Sequence, residues 1–177
     1  MANEQHLKII LQGPETWNKW RQGNPHIPKD LSGADLTGRD LSNMNLQGAD
    51  LSGAKLSGIH FTGSASMLTK ANLGSADLSY GDLNNAILTE AKCESANLNH
   101  AVLVKTNLER ATLTNANLNS ADLQNAVCRN TTLTEADLGN TKLNGAKFND
   151  AKLQGASLRS AEQEEPCLKV PSFPIRV

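Results

Sequence analysis

The chain has 177 residues, with 17 basic and 18 acidic side chains and only 3% aromatic residues. The near-cancelled charge removes the basic footprint of a nucleic-acid binder, and the shortage of aromatics removes the stacking platforms of a single-strand binder. No apolar run approaches the ~18 residues of a membrane span, and the amino terminus lacks the basic region and apolar core of a signal peptide, so a soluble cytoplasmic protein is expected.

Residues 1–28 read as a separate lead-in. An apolar patch from Leu7 to Leu11 precedes Gly13-Pro14, and the segment ETWNKWRQG then runs to Asn24-Pro25. Proline suits the first turn of a helix and glycine its end, which predicts a short helix from Pro14 to about Gln22. Trp17 and Trp20, the only tryptophans, are three apart and share a face. Their expected task is to cover the open end of the repeat region that follows, which would otherwise expose leucines and unpaired strand edges.

From Lys29 to Ser160 a leucine arrives every fifth residue, usually with alanine two places before it, in the pattern A-(D/N)-L-x-x. Central positions run Leu31, Leu36, Leu41, Leu46, Leu51, Leu56 and Phe61, then restart at Leu68 and continue to Leu158, giving 26 pentapeptides and 130 residues. In a helix, five residues advance about 500°, so the leucines would wander around the axis. In a straight strand, odd spacing would throw them alternately to opposite faces. They all point inward only if the chain turns a corner every five residues, as in an all-β solenoid whose coils bond to one another at roughly 4.8 Å spacing.

Two residues after each centre lies the corner. It is mostly glycine in the first seven units (Gly33, Gly38, Gly48, Gly53, Gly58, Gly63, with Asn43), but Lys70, Tyr80, Glu90, His100, Lys105 and Arg110 stand there later. Bulky residues would be costly if the corner demanded positive φ, so the corner is expected to be tolerable without glycine, and the turn type along the solenoid is left open. Between Phe61 and Leu68 the segment TGSASML puts seven residues where five are usual. The two extra residues are expected to bulge outward at one corner and leave the coils intact.

With four units to a coil, Leu68, Leu88, Leu108, Cys128 and Phe148 form one inward column. The small Cys128 then lies one coil from the large Phe148, a compensation of volumes that close packing favours. Cys93 and Cys128 replace central leucines and read as buried thiols on different faces, with no bridge between them. Beyond Ser160 the beat fades, and residues 161–177 hold Pro166, Pro171 and Pro174, which predicts an extended tail whose apolar residues fold back along the solenoid or over its top.

No catalytic constellation is present. The chain has no G-x-S-x-G, no H-E-x-x-H, no phosphate loop and no dinucleotide fingerprint. His6, His26, His60 and His100 are scattered, without a second ligand at zinc spacing. A regular prism also lacks the deep cleft in which enzymes work, so neither an enzyme nor a cofactor or metal is expected.

Twenty-six consecutive units of A-(D/N)-L-x-x resemble the pentapeptide repeat family. The resemblance covers residues 29–160 and implies a right-handed quadrilateral β-helix, here of about six to seven coils behind a short N-terminal helical cap. The lead-in WNKWR followed by PKDLSGADL is similar to cyanobacterial members, some of which act in signalling or development by binding regulators. The expectation is a non-enzymatic interaction module, a monomer or weak dimer, with an unidentified protein partner and no direct contact with nucleic acid. The alternative that the resemblance carries is the duplex-mimicking group, which binds DNA gyrase and confers quinolone resistance. That role needs a strongly acidic rod, whereas residues 29–160 hold 12 basic and 13 acidic side chains.

The residue before each centre points outward and is usually Asp, Asn or Lys, which reads as a solvated coat. In one column the sequence places Met67, Ile87, Asn107, Val127 and Lys147, three of them apolar, with Glu109 and Arg129 on the same face; Val102 and Val104 make a second apolar spot. Aligned apolar residues form a contiguous patch of the kind that binds a partner. Met67, Ile87, Val127, Val102 and Val104 are therefore the candidate partner-binding residues.

Overall fold

Each pentapeptide brings five backbone N–H groups that must find partners once the unit is packed. Around Leu31 the assignment is complete. Leu31 N–H donates to Asp50 C=O (2.7 Å) and Gly33 N–H to Ser52 C=O (2.8 Å), both one coil further on. Ala34 N–H closes the turn on Leu31 C=O (3.0 Å), and the residue preceding a centre donates one coil back, as Lys55 N–H does to Ala34 C=O (2.9 Å). The remaining donor follows the centre, and here Ser32 N–H is taken by the Asp30 side chain (3.0 Å).

That last bond explains the Asp or Asn before the leucine. All thirteen Asp and Asn residues at this position, from Asp30 to Asp137, accept from the N–H two residues on, at 2.8–3.3 Å. The expected solvated coat is thus a set of turn-forming side chains, the Asx arrangement in which a short carboxylate or amide stands in for a backbone carbonyl.

The structure, a computed structural model, describes residues 1–162. Single-residue parallel bridges link each pre-centre residue to the one twenty further on, or twenty-two across the slip, as in Asp35↔Lys55↔Asp77↔Asn97. They form four columns, beginning at Asp30, Asp35, Asp40 and Asn45, so four pentapeptides make one coil of a four-sided solenoid. The bridging continues to Glu162, two residues past the boundary that the fading beat indicates. Most of the proline-containing tail, from residue 163 on, lies outside the described residues.

The corners accept residues other than glycine, as expected, but they do so at positive φ. All 26 corner residues have positive φ, from 55° to 95°, and eighteen of them are not glycine, including Lys70, Tyr80, Glu90, His100, Lys105 and Arg110. Away from the slip the left-handed residue stands third in the turn, as in a type II turn, whereas at the slip Ser66 N–H closes on Gly63 C=O (2.9 Å). A left-handed L-residue costs roughly 1–2 kcal/mol. From Gly33 to Asn140 every corner N–H except that of Asn43 is nevertheless fixed in the ladder, as Tyr80 N–H is on Asn99 C=O (2.9 Å), and a deviating corner would break the columns on both sides.

At the slip the expectation holds. Ser64 and Ala65 are exposed, while Ser66 fills the usual alanine position, fully buried. Its hydroxyl accepts from Asn43 N–H (2.8 Å) and donates to Thr62 C=O (2.5 Å). Buried threonines at other alanine positions are satisfied likewise, Thr106 on Leu83 C=O and Thr131 on Leu108 C=O (both 2.8 Å). Inside the prism, leucine, phenylalanine and alanine columns form one core that also includes Ile10 and Trp17. Cys128 and Phe148 are buried one coil apart, Cys128 N–H donating to Lys147 C=O (2.8 Å), as the twenty-residue spacing predicts.

Two helices precede the solenoid where one is expected: α1, Glu4–Ile10, capped by the Asn3 side chain, and α2, Pro14–Gly23. The apolar patch read between Leu7 and Leu11 belongs largely to α1. Both helices bond to the first coil's free edge. Asn3 N–H donates to Asp30 C=O (3.1 Å), and His6 Nδ1 accepts from Asp30 N–H (3.2 Å). Trp17 Nε1–H donates to Asn45 C=O (2.9 Å), and Asn18 Oδ1 accepts Asn45 N–H (2.9 Å). Side chains of α1 and α2 thereby take the places that a preceding coil would fill.

Candidate functional site

The Asn45 column runs Asn45↔Met67↔Ile87↔Asn107↔Val127↔Lys147 down one face. Regular corners hold these side chains in line and outward, because the residue before an inward leucine must point away from the core. Met67, Ile87 and Val127 are half-buried and Lys147 is exposed. Asn107 interrupts the apolar strip and accepts Glu109 N–H (3.0 Å), so the strip comprises an upper pair, Met67 and Ile87, and a lower member, Val127. Glu109 is half-buried and Arg129 exposed beside it.

At its upper end the strip opens into a notch of about 360 Å³ between α2 and the slip, lined by Asn18, Arg21, Asn43, Asn45, Ala65 and Met67. Arg21 Nε–H donates to Asn45 C=O (3.1 Å), and burial lowers the pKa of its guanidinium. Lys29, a buried lysine at an alanine position, is lowered too, by burial first and then by the charge of Arg21. The notch lining thus combines the cation Arg21 with amide side chains and the apolar Ala65 and Met67.

Val102 lies on the neighbouring face, apart from the strip, in the column Asp82↔Val102↔Asp122, with Val104 two residues further along the chain. Val102 is 36% exposed and Val104 half-buried. The structure brings Met67 and Ile87 together and leaves the two valines in separate surroundings. One feature escaped the sequence reading: Tyr80 and His100, at successive corners, stack with ring centroids 4.9 Å apart and planes 11° from parallel. Their twenty-residue spacing at the corner position was the available signal.

Cys93 and Cys128 lie in different columns, and burial, with a smaller contribution from the Glu94 charge, pushes the Cys93 thiol up to about 12. Among the described residues no group of His, Cys, Asp or Glu is placed to hold a metal ion, and no helix is long and apolar enough to cross a membrane.

The ladder register and the five-residue turn define a pentapeptide β-helix. The family model for pentapeptide repeats matches in eight copies over residues 30–64, 66–103, 91–127 and 121–159, and the chain belongs to that family. A pentapeptide repeat protein from the Arabidopsis thaliana thylakoid lumen is similar at 24% identity over 73% of this chain and 72% of its own, with a TM-score of 0.48. HetL, a pentapeptide repeat protein involved in heterocyst differentiation regulation from the cyanobacterium Nostoc sp., is 33% identical over 73% of this chain and 62% of its own, TM-score 0.35. QnrB1, a plasmid-mediated fluoroquinolone resistance protein, is 19% identical over 74% of this chain and 90% of its own, TM-score 0.39. A comparison with curated proteins finds no match.

Proposed function

We propose that the chain is a non-enzymatic scaffold, a right-handed prism of six to seven coils that presents the Asn45 face to a protein partner. The supporting observation is the alignment of Met67, Ile87 and Val127 in one outward column. Each of these residues stands where Asp or Asn would take the following N–H, and each forgoes that bond. Half-buried apolar side chains in register form a surface that another protein desolvates on docking, flanked here by the charges of Glu109 and Arg129.

The test follows from the turn chemistry. Aspartate is the residue that this position favours, so Ile87→Asp with Val127→Asp restores two turn bonds and leaves the fold intact. Capture of a partner from lysate of the source cells is expected to be lost in the double variant, while its melting temperature stays within a few degrees of the original. Undiminished capture by the folded double variant contradicts the reading.

A further inference from the structure

We infer that the notch at the upper end of the Asn45 face takes a carboxylate of the protein partner, an aspartate or glutamate side chain in an extended segment, on the guanidinium of Arg21. The inference rests on the docking face proposed above and names the chemistry that face selects. Arg21 is half-buried on α2, and its Nε–H donates to Asn45 C=O (3.1 Å) and to Asn45 Oδ1 (3.3 Å). These bonds hold the guanidinium in place, and its Nη groups donate to no protein atom among the described residues. The neighbouring wall is fixed too, Asn18 donating to Asn43 C=O and accepting from Asn45 N–H (both 2.9 Å). A pair of free donors is thus held in the lining of the notch, beside Ala65 and Met67, before anything binds. Donors fixed in advance lose little freedom on docking.

Among the described residues no carboxylate pairs with Arg21: the ion pairs are Lys55–Asp35 and Lys70–Glu90. The column below the notch, from Met67 to Lys147, carries no acid, and the residues that follow its upper centres are Gln47, Thr69 and Thr89. Glu90, at the corner after Thr89, is taken by Lys70 at 3.5 Å. Asp40 and Asp50, on the two adjoining faces, are turned to Ser42 N–H (2.9 Å) and to Ser52 N–H (3.0 Å). Glu15, the acid of α2, is six residues from Arg21, about 9 Å along the axis. Lys29 adds a second positive charge, near enough for Arg21 to lower its pKa. The unanswered charge at this end of the face is therefore positive. One guanidinium matches the single charge of a carboxylate, whose two coplanar oxygens suit its fork. Met67 and Ile87 continue from the notch in one column, about 4.8 Å per coil, so the acid is expected beside apolar residues of the same segment.

The probe is a blocked peptide with one glutamate and two leucines at alternate positions, which share a face when it is extended, and its control carries glutamine instead. Binding is read by NMR on the indole Nε1–H of Trp17, which donates to the same Asn45 C=O (2.9 Å) as Arg21; the chain has two tryptophans, and Trp20→Phe assigns their signals. The glutamate peptide is expected to move the Trp17 signal saturably and to bind roughly three- to ten-fold more tightly than the glutamine peptide, with the ratio shrinking as salt rises. Arg21→Gln is expected to erase the ratio, and Arg21→Lys, which keeps the charge and loses the fork, to leave part of it. Ile87→Asn removes an apolar residue of the column and no charge, so it is expected to weaken both peptides and preserve the ratio. Equal affinities for the two peptides, a signal that neither moves, or a glutamate preference that survives Arg21→Gln would each overturn the inference. A preserved ratio with undiminished affinities in Ile87→Asn would instead contradict the apolar column and leave the carboxylate site in place.

Discussion

Gly81 stands where the repeat otherwise places alanine, and a Cβ there would meet Leu78 C=O at 3.0 Å, Leu83 Cδ1 at 3.2 Å and Ile59 Cγ1 at 3.4 Å. Ile59 fills the alanine position one coil earlier, so a large residue is matched by the smallest. Gly81→Ala, although it restores the repeat, is expected to destabilise by about 1–3 kcal/mol, and adding Ile59→Ala should recover part of the loss in thermal melts. Overpacking also separates the two buried thiols. Cys128→Leu meets Phe148 and should lower the melting temperature more than Cys93→Leu, whose neighbours along the column are Leu73 and Leu113; equal melting temperatures would contradict the stacking. The Cys128–Phe148 pairing was legible in the sequence because the twenty-residue spacing reports it. The corner conformation was not. Lys70, Tyr80 and Arg110 suggest a position indifferent to φ, but local propensity is outweighed by the ladder bonds that these corners hold.

The solenoid's first coil has no coil before it, and α1 and α2 serve its edge with side chains instead. The tryptophans of α2 were legible as a cover. The helix α1 was missed because it has only seven residues and little apolar periodicity, its position being fixed by Asn3 and His6 against Asp30. Deleting residues 1–25 is expected to expose Leu31 and Leu36 and to produce association detectable by light scattering; a truncated chain that remains monomeric and equally stable would show that the helices are dispensable there. The same coil has an acid-sensitive element. The Ser32 hydroxyl and N–H hold Asp30 below the ordinary carboxylate pKa, Thr37 does the same for Asp35, and Asp40 is lowered by Ser42, its N–H first. These folded-state values lie below those of the unfolded chain, near ~3.9. The stabilisation is therefore complete above about pH 4 and is lost as pH falls through the folded values. Replacing all three with Asn keeps the acceptors and removes the charge, which should flatten the fall in melting temperature between about pH 4 and pH 2; an equally steep fall would place the acid sensitivity elsewhere.

Across the whole molecule, charge and the apolar column make separate statements. Twelve basic and thirteen acidic residues over 29–160 give no acidic rod, so supercoiling by DNA gyrase is expected to proceed unhindered at micromolar protein. Dose-dependent inhibition would favour the duplex-mimicking alternative. The four columns were legible once the period was counted, and so was the alignment of Met67, Ile87 and Val127. The role of the pre-centre Asp and Asn was not, since a side chain bonded to its own turn and one bonded only to water look alike in sequence. The central claim is that the partner docks on the Asn45 face, and a photo-crosslinking amino acid placed at single positions tests it directly in the source cells. Substitution at Ile87 and at Val127 should give an adduct with the same protein, and substitution at Asn97 and Asn117, on the opposite face, should give none. Adducts from the Asn97 face alone, or equally from both, would contradict the account.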